Sequence, residues 1–325
     1  MKSGALSHYL NQRVFEGFIM SILVTGGNGF IGWRIVRELL SQGEKVVSFD
    51  SAPIRRNLEQ YVDRFSYYRG DITEISQLWE AVKEFGVTRI IHMAALLPPD
   101  TEVRPAHGIK VNVEGTNNVF EVARLSGLEK VVYASSIAVY GVQEHFGDRL
   151  ITENDISIPI NMYGMTKAMN DFTASVYIDQ YGLDLVGIRI CTVFGHGRVT
   201  GMTGMIGGLM ISLPAIGQPV DLPFDPGEPS PLIHAEDAAQ IFVIAALSKG
   251  LSHSVYITGG HLATVGEVAD VVRSNIPEAK ITLGIERVPH VYLVDNSRML
   301  SDLGYEMPSL ETRITEHIED ARAEM

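Results

Sequence analysis

The stretch Ser21-Ile-Leu-Val-Thr-Gly-Gly-Asn-Gly-Phe-Ile-Gly-Trp33 combines a short apolar run, a glycine-rich turn and the start of an apolar helical pattern. The run from Ile22 is typical of a buried parallel strand, and apolar residues recur at helical spacing after the turn. Gly26, Gly29 and Gly32 are spaced for a tight turn, for close approach of a pyrophosphate to the backbone, and for close packing of helix on strand. The helix N-terminus would offer free N–H groups to the anion. The stretch therefore predicts a nucleotide-binding turn.

The composition is that of an ordinary globular chain of 325 residues, with 46% hydrophobic and 20% charged residues. A net charge of −13 and the lack of a basic run argue against nucleic acid as a partner. The apolar stretches are too short to span a bilayer, so we expect no membrane association. The single cysteine, Cys191, excludes an internal disulfide and favours a reducing, cytoplasmic setting.

Acidic residues follow the second and third predicted strands. Asp50 ends the second strand, where a carboxylate accepts hydrogen bonds from the adenosine ribose of a dinucleotide. Its charge repels a 2′-phosphate and therefore favours NAD, although Arg55 and Arg56 keep NADP open as an alternative. Asp71 and Ile72 follow the third strand and are placed to bracket the adenine.

The fourth strand ends in small residues, Ala94 and Ala95, which would let the diphosphate and the nicotinamide ribose pass close by. The alternation of strands and helices predicts an α/β fold with a Rossmann-type doubly wound parallel sheet. We assign residues 21–185 to an NAD-binding domain. We assign residues 186–325 mainly to a smaller C-terminal substrate-binding lobe, with some segments returning to the sheet. Residues 1–20 lack the apolar core of a secretion signal and are expected to form a leader or a loosely attached arm.

Tyr163 and Lys167 are candidates for acid–base chemistry. They lie in a helix predicted over residues 161–181, and their i, i+4 spacing puts both on one helix face. A tyrosine titrates near ~10, and a nearby ammonium group favours its charged form. The pair can therefore give or take a proton near neutrality.

Together these segments resemble the extended short-chain dehydrogenase/reductases, the NAD-dependent epimerase/dehydratase family, in its UDP-galactose 4-epimerase-like form. The resemblance covers nearly the whole chain after residue 20. Its motifs are Thr25-Gly-Gly-Asn-Gly-Phe-Ile-Gly32, Gly70-Asp-Ile72, His92-Met-Ala-Ala95, Asn112-Val-Glu-Gly-Thr116, Ser135-Ser-Ile-Ala-Val-Tyr-Gly141, Tyr163-x-x-x-Lys167 and Arg189-x-x-x-Val-Phe-Gly195.

The resemblance implies a role for each matching residue. Tyr163 is the catalytic acid/base, and Lys167 holds the nicotinamide ribose and lowers the pKa of the tyrosine. Ser136 hydrogen-bonds the substrate oxygen, and Asn112 helps to shape the site. Family likeness also implies NAD as cofactor and a homodimer paired through the helices at 106–126 and 161–181, and we predict no metal site. The predicted cofactor contacts are Gly26, Gly29, Phe30, Ile31, Gly32, Asp50, Asp71, Ile72, Ala94, Ala95, Tyr163 and Lys167.

Departures from the family pattern narrow the reaction. The dehydratases carry Asp-Glu, and related decarboxylases carry a Glu, directly after the catalytic Ser/Thr, whereas Ser136 is followed by Ile137 and Ala138, which cannot transfer a proton. Nucleotide-sugar enzymes need cations for the substrate diphosphate, but no Lys or Arg occurs between Arg198 and Lys249. Backbone amides or Arg198 could bind the diphosphate in place of the missing cations. The methionine-containing segment after residue 200 and Leu96-Leu-Pro-Pro99 would suit a small, partly apolar substrate, although ordinary core or dimer packing explains the methionines equally well.

Three functions are compatible with these residues. The first is an NAD-dependent dehydrogenase or reductase that acts on a small alcohol or ketone, a sugar or a sugar acid. The second is a sugar or nucleotide-sugar epimerase with tightly bound NAD. The third is an NAD-binding regulator without turnover, against which the intact set of Ser136, Tyr163 and Lys167 argues.

Overall fold

A seven-stranded parallel sheet forms the centre of the computed structural model, which describes residues 20–199 and 201–324. The leader or arm predicted for residues 1–20 lies outside the described residues, except for Met20. In chain order the strands are β1 (Ser21–Thr25), β2 (Lys45–Asp50), β3 (Ser66–Arg69), β4 (Val87–His92), β5 (Lys130–Ser136), β6 (Leu185–Ile190), β7 (Thr192–Phe194), β8 (Val220–Phe224), β9 (Pro229–His234), β10 (Val255–Ile257), β11 (His261–Thr264) and β12 (Ile281–Glu286).

The sheet has the strand order β3-β2-β1-β4-β5-β6-β10, with all neighbours parallel. Side chains alternate between its two faces, so that Ile22 and Val24 join one apolar core and Leu23 joins the other. Strands buried on both faces explain the continuous apolar runs in the sequence. The strand order reverses between β1 and β4, where ligands bind in sheets of this kind. The predicted α/β fold class with a parallel sheet is confirmed.

Helices cover both faces of this sheet. α1 (Gly32–Ser41), α9 (Ala235–Leu247) and α11 (Ser297–Leu303) pack on one face, and α2 (Ile75–Glu84), α5 (Gly115–Ser126) and part of α6 (Met162–Tyr181) pack on the other. No helix within the two described ranges is long and apolar enough to cross a membrane. The helices are α1 (Gly32–Ser41), α2 (Ile75–Glu84), α3 (Asp100–Val103), α4 (Pro105–Ile109), α5 (Gly115–Ser126), α6 (Met162–Tyr181), α7 (Gly201–Gly204), α8 (Met210–Ala215), α9 (Ala235–Leu247), α10 (Val265–Asn275), α11 (Ser297–Leu303) and α12 (Leu310–Ala323).

A second apolar core lies beside the main sheet. It is built by α8, α10 and α12 together with a three-stranded sheet, β11-β9-β7, and the parallel pair β8-β12. We call this part the lobe. In sequence, α9 and β10 lie between β9 and β11 of the lobe, but they pack with the main sheet. The chain therefore crosses between the two cores several times.

The helical segment predicted over residues 106–126 is present, but it is not a regular α-helix throughout. α4 and α5 are joined by a π-helical turn over Lys110–Glu114, which carries Asn112. Apolar spacing does not separate such a turn from an α-helix, because the turn adds only one residue to the repeat.

Candidate active site

A cavity of about 700 Å³ opens where the strands β1 to β5 end. Residues 190–193, 198, 201–203 and 288–291 close its other side. Its lining includes every predicted site residue except Asn112, namely Gly26, Gly29, Phe30, Ile31, Gly32, Asp50, Asp71, Ile72, Ala94, Ala95, Ser136, Tyr163 and Lys167.

The glycine turn between β1 and α1 is packed too tightly for side chains. Gly26 has a φ of +66°, and a Cβ there would lie 2.7 Å from the backbone N of Ala94. A Cβ on Gly32 would lie 2.0 Å from the carbonyl oxygen of Gly26. The absence of these side chains brings β1, β4 and the N-terminus of α1 together, and their backbone borders the cavity. This cradle fits the diphosphate of a dinucleotide.

Asp50 is held at the end of β2 by the backbone. Its carboxylate oxygens accept hydrogen bonds from the N–H groups of Asn28 and Ala52, each at 2.9 Å. A carboxylate has about four lone-pair positions, so acceptor capacity remains for ribose hydroxyls. Arg55 and Arg56 left NADP open. Arg55 donates to Asn57 at 3.0 Å and lines a different cavity, and Arg56 is not among the described residues that line this one. The donors and acceptors around this part of the cavity therefore fit NAD.

Asp71 and Ile72 lie beyond β3. The Asp71 carboxylate accepts a hydrogen bond from the Thr73 N–H at 2.9 Å, and the residue is exposed. Ile72 is 5% exposed and packs against Gly115, where a Cβ would come within 2.6 Å of the isoleucine side chain. Gly115 therefore lets α5 approach the β3 loop, which borders the cavity.

The start of α6 places the candidate catalytic side chains. The Asn161 side chain caps the helix by accepting from the Gly164 N–H at 2.8 Å. The Glu102 carboxylate accepts from the N–H groups of Met162 and Tyr163, each at 3.1 Å. Two independent contacts thus fix the first turn of the helix, on which Tyr163 lies.

Tyr163, Ser136 and Lys167 meet at the carboxyl end of β5. The Ser136 side chain acts on the Tyr163 hydroxyl and favours its ionised form, and Ser136 Oγ accepts from the Ala138 N–H at 3.1 Å. Lys167 Nζ donates to the carbonyl oxygen of Ala134 at 2.7 Å and lies 5.7 Å from the centroid of the Tyr163 ring. The lysine charge therefore lies over the face of the ring and at the end of β5.

The protonation of this group differs from the prediction. Burial raises the pKa of the Tyr163 phenol, against the opposing effects of the hydrogen bond with Ser136 and the positive charge of Arg198. The predicted lowering of this pKa by Lys167 is therefore wrong for the structure described. Burial also lowers the pKa of Lys167 to about 8, although the Asp171 carboxylate opposes this effect.

Asn112 does not line the cavity, and its predicted role in shaping the site stays a prediction. Its side chain is fully buried behind the cavity wall. The amide oxygen accepts from the Leu96 N–H at 2.7 Å, and the amide nitrogen donates to the Leu96 carbonyl at 2.9 Å and to Thr166 Oγ1 at 3.2 Å. Asn112 thus ties the loop after β4 to the catalytic helix and acts as a positioning residue.

Several lining residues escaped the sequence reasoning. Arg198 appeared there only as a substitute cation, and His107, Cys191, Thr192, Thr203 and His290 did not appear as site residues. Arg198, Thr203 and His290 lie in short segments without a periodic pattern or a motif, whereas Cys191 and Thr192 lie at unspecified positions of the motif Arg189-x-x-x-Val-Phe-Gly195. The one available signal was that Arg198 is the last cation before a long stretch without Lys or Arg.

Comparison with known proteins gives the family. The sequence model of the NAD dependent epimerase/dehydratase family matches residues 22–259. An uncharacterised protein of Methanocaldococcus jannaschii is 35% identical over 194 residues, which are 55% of this chain and only 58% of that protein. The dTDP-4-dehydro-6-deoxyglucose reductase of Escherichia coli is 24% identical over 87% of this chain and 92% of the enzyme.

A solved structure extends the likeness to the whole fold. The UDP-glucose 4-epimerase of Thermus thermophilus, crystallised with NAD, superposes with a TM-score of 0.83 at 26% identity, covering 94% of this chain and 100% of that one. The predicted family and cofactor are both confirmed. Because the family match takes in the glycine turn, the end of β2 and the catalytic helix, the chain belongs to the NAD-dependent epimerase/dehydratase family and uses NAD.

Proposed function

We propose that the protein is an NAD-dependent dehydrogenase or reductase acting on a small hydroxyl or carbonyl compound, such as a small alcohol or ketone, a sugar or a sugar acid. The nicotinamide ring supplies hydride chemistry when NAD is bound. Tyr163 then gives or takes the proton of the substrate oxygen, and Ser136 holds that oxygen in place. The observation that carries this proposal is that Ser136, Tyr163 and Lys167 line the same cavity as the glycine turn.

The residues after Ser136 support simple hydride transfer. Ile137 and Ala138 belong to a 3-10 turn over Ile137–Tyr140, and neither side chain can transfer a proton. An elimination or a decarboxylation would need a further acid or base at this point. We therefore propose neither of these reactions.

The charge and size of the cavity support a small substrate. Among the described residues that line it, the Lys and Arg side chains are Lys167 and Arg198, and Lys167 is bound to the Ala134 carbonyl. The volume of about 700 Å³ includes the cofactor groove and lies within the ordinary range of a single ligand site, roughly 300–1,000 Å³. A dinucleotide would leave limited room for a second nucleotide.

A nucleotide-sugar epimerase is the second candidate, favoured by the likeness to the Thermus enzyme. An epimerase oxidises and re-reduces its own substrate, so it keeps NAD bound and turns over without added cofactor. Calorimetric titration with UDP and dTDP tests this alternative. Micromolar binding of either nucleotide would contradict the small-substrate proposal.

The test of the proposed function is a substrate panel. Alcohols, short hydroxy acids, sugars, sugar acids and nucleotide sugars are incubated with the protein with and without added NAD, and NADH absorbance is recorded. A dehydrogenase should form NADH only with a substrate and added NAD. Turnover of a nucleotide sugar without net NADH would favour the epimerase, and no turnover at all would favour a non-catalytic NAD-binding protein.

We also propose the predicted division of labour and a homodimer. Residues 21–185 would bind NAD, and the lobe within residues 186–325 would bind the substrate. The homodimer proposal is supported by the outer face of α6, where Met165, Met169, Phe172 and Val176 are 54%, 48%, 66% and 41% exposed at helical spacing. Such a stripe is the pattern of a helix that packs on a partner.

A further inference from the structure

Arg198 reaches the cavity from the loop that follows β7. Its Nε and Nη2 atoms donate to Thr203 Oγ1 at 3.3 and 2.9 Å, and its Cζ lies 5.9 Å from the centroid of the Phe30 ring. The loop backbone is packed as well, because a Cβ on Gly208 would lie 1.8 Å from the Arg198 carbonyl oxygen. The guanidinium is therefore oriented by its surroundings and is not a mobile surface group.

The charge of this guanidinium has no carboxylate partner within ion-pair distance among the residues described. Other arginines with buried guanidinium groups each have one: Arg34 pairs with Glu236 at 2.9 Å, Arg189 pairs with Asp171 at 2.9 Å, and Arg313 pairs with Asp237. Half-burial without a counter-charge costs free energy, and proteins rarely leave such a charge uncompensated. Thr203 supplies an acceptor but no charge.

The position of Arg198 relative to the reacting groups suggests what compensates it. It lines the same cavity as Ser136 and Tyr163, and its positive charge acts on the Tyr163 phenol. An anion held by Arg198 would therefore lie in the same cavity as the reacting substrate oxygen. The segment from Arg198 to Lys249 contains no further Lys or Arg, so the site matches one singly charged group better than a diphosphate.

We propose that Arg198 binds a carboxylate of the substrate, so that the substrate is a short hydroxy acid whose hydroxyl lies at Tyr163 and Ser136. This inference rests on the proposed function and specifies its substrate class. A planar guanidinium matches a carboxylate bidentately, which fixes the orientation of the acid as well as its charge. In the oxidative direction the hydroxyl loses its proton to the deprotonated Tyr163 oxygen and the carbon loses a hydride to NAD⁺, giving a keto acid, the neutral Tyr163 phenol and NADH.

Calorimetry on the NAD-loaded protein tests this inference without turnover. Malonate is the carboxylate probe, and malonamide is its neutral counterpart. We expect the wild-type protein to bind malonate and to discriminate against malonamide. Arg198→Gln should weaken malonate binding about 10- to 100-fold, the effect of losing charge-assisted hydrogen bonds, and Arg198→Lys should restore part of it. Arg149→Gln, which removes an exposed arginine paired with Asp155, is the matched control and should bind malonate normally.

Two results would overturn the inference. One is equal binding of malonate and malonamide by the wild-type protein. The other is an Arg198→Gln variant that loses affinity for NAD in a titration without malonate but keeps its affinity for malonate, since Arg198 would then hold the cofactor diphosphate. Failure of the proposed function would give a different result. If the protein binds malonate through Arg198 but oxidises no compound of the substrate panel, the carboxylate site is supported and the dehydrogenase proposal is contradicted.

Discussion

Tyr163 is the side chain on which the proposed proton transfer depends. Tyr163→Phe removes only the hydroxyl that reaches Ser136. We expect kcat to fall by about 10²- to 10⁴-fold, the usual contribution of a positioned acid or base, while NAD binds as before. Initial rates of NADH formation and a fluorescence titration with NAD measure the two effects. Tyr181→Phe, an exposed tyrosine on the same helix, is the control, and an active Tyr163→Phe variant would contradict the proposed mechanism.

Lys167 makes stability depend on pH in a defined direction. Its pKa falls from an ordinary 10.5 to about 8 in the folded protein, chiefly through burial. Between these values the unfolded chain binds more protons, so the free energy of unfolding rises with pH. The cost of the buried charge is complete below about pH 8 and is gone above about pH 10.5. At about 1.4 kcal/mol for each pH unit, the total change is roughly 3 kcal/mol.

Urea unfolding of Lys167→Met beside the wild-type protein isolates this effect. The variant lacks the titrating amine. The free energy of unfolding of the wild-type protein should therefore increase relative to that of the variant as the pH rises from about 8 to about 10.5. Lys83→Met, in which an exposed lysine on α2 is replaced, controls for the loss of a lysine in general. A constant difference between Lys167→Met and the wild-type protein across the range would contradict the expected titration.

At the scale of elements, the π-helical turn between α4 and α5 connects the β4 loop to the catalytic helix through Asn112. Asn112→Ala would leave the partly buried N–H and carbonyl groups of Leu96 without these partners. We expect a loss of roughly 1–3 kcal/mol of stability and a smaller decrease in kcat than for Tyr163→Phe. Chemical denaturation and initial rates measure these effects. Asn275→Ala, on the exposed part of α10, should have little effect on either measurement.

The sequence predicts strands and helices that have a periodic apolar pattern or end in characteristic residues. It does not predict which distant group a single polar side chain will contact. The apolar runs and the glycine turn specify β1, α1 and the strand ends, because burial and backbone crowding act locally along the chain. The partner of Lys167 could not be foreseen, since the Ala134 carbonyl is distant in sequence and any backbone oxygen could accept. The burial of Asn112 depends on a helical irregularity that polar spacing does not encode. The same limit applies to Arg198, whose importance appears only when its lack of a carboxylate partner is visible.

At the scale of the whole molecule, α12 of the lobe is tied to α9 on the main sheet. Arg313 Nε donates to Asp237 Oδ2 at 3.1 Å, and the Tyr305 hydroxyl donates to the other oxygen at 2.6 Å. Arg313→Leu leaves the buried Asp237 without its cation, so we expect a loss of about 3–5 kcal/mol. Thermal unfolding followed by circular dichroism measures this loss. Arg273→Leu, in which an exposed ion pair on α10 is broken, should cost at most about 1 kcal/mol.

The proposed homodimer is tested at the outer face of α6. Met169→Glu with Phe172→Glu puts charge into the exposed apolar stripe, and we expect sedimentation to change from a dimer to a monomer. Ile285→Glu, at a residue on β12 that is 87% exposed, introduces the same charge elsewhere and should leave the assembly unchanged. A wild-type protein that sediments as a monomer at all concentrations would contradict the proposal.

One helix serves both proposals. α6 presents Tyr163 and Lys167 to the cavity and the stripe from Met165 to Val176 to the outside, and both sets of residues share the turns that follow the Asn161 cap. If two copies pack on each other along that stripe, dilution should separate them, and α6 of each subunit should then hold the Tyr163 phenol less rigidly. The rate per subunit would then fall as the enzyme is diluted, and added inert protein would not restore it.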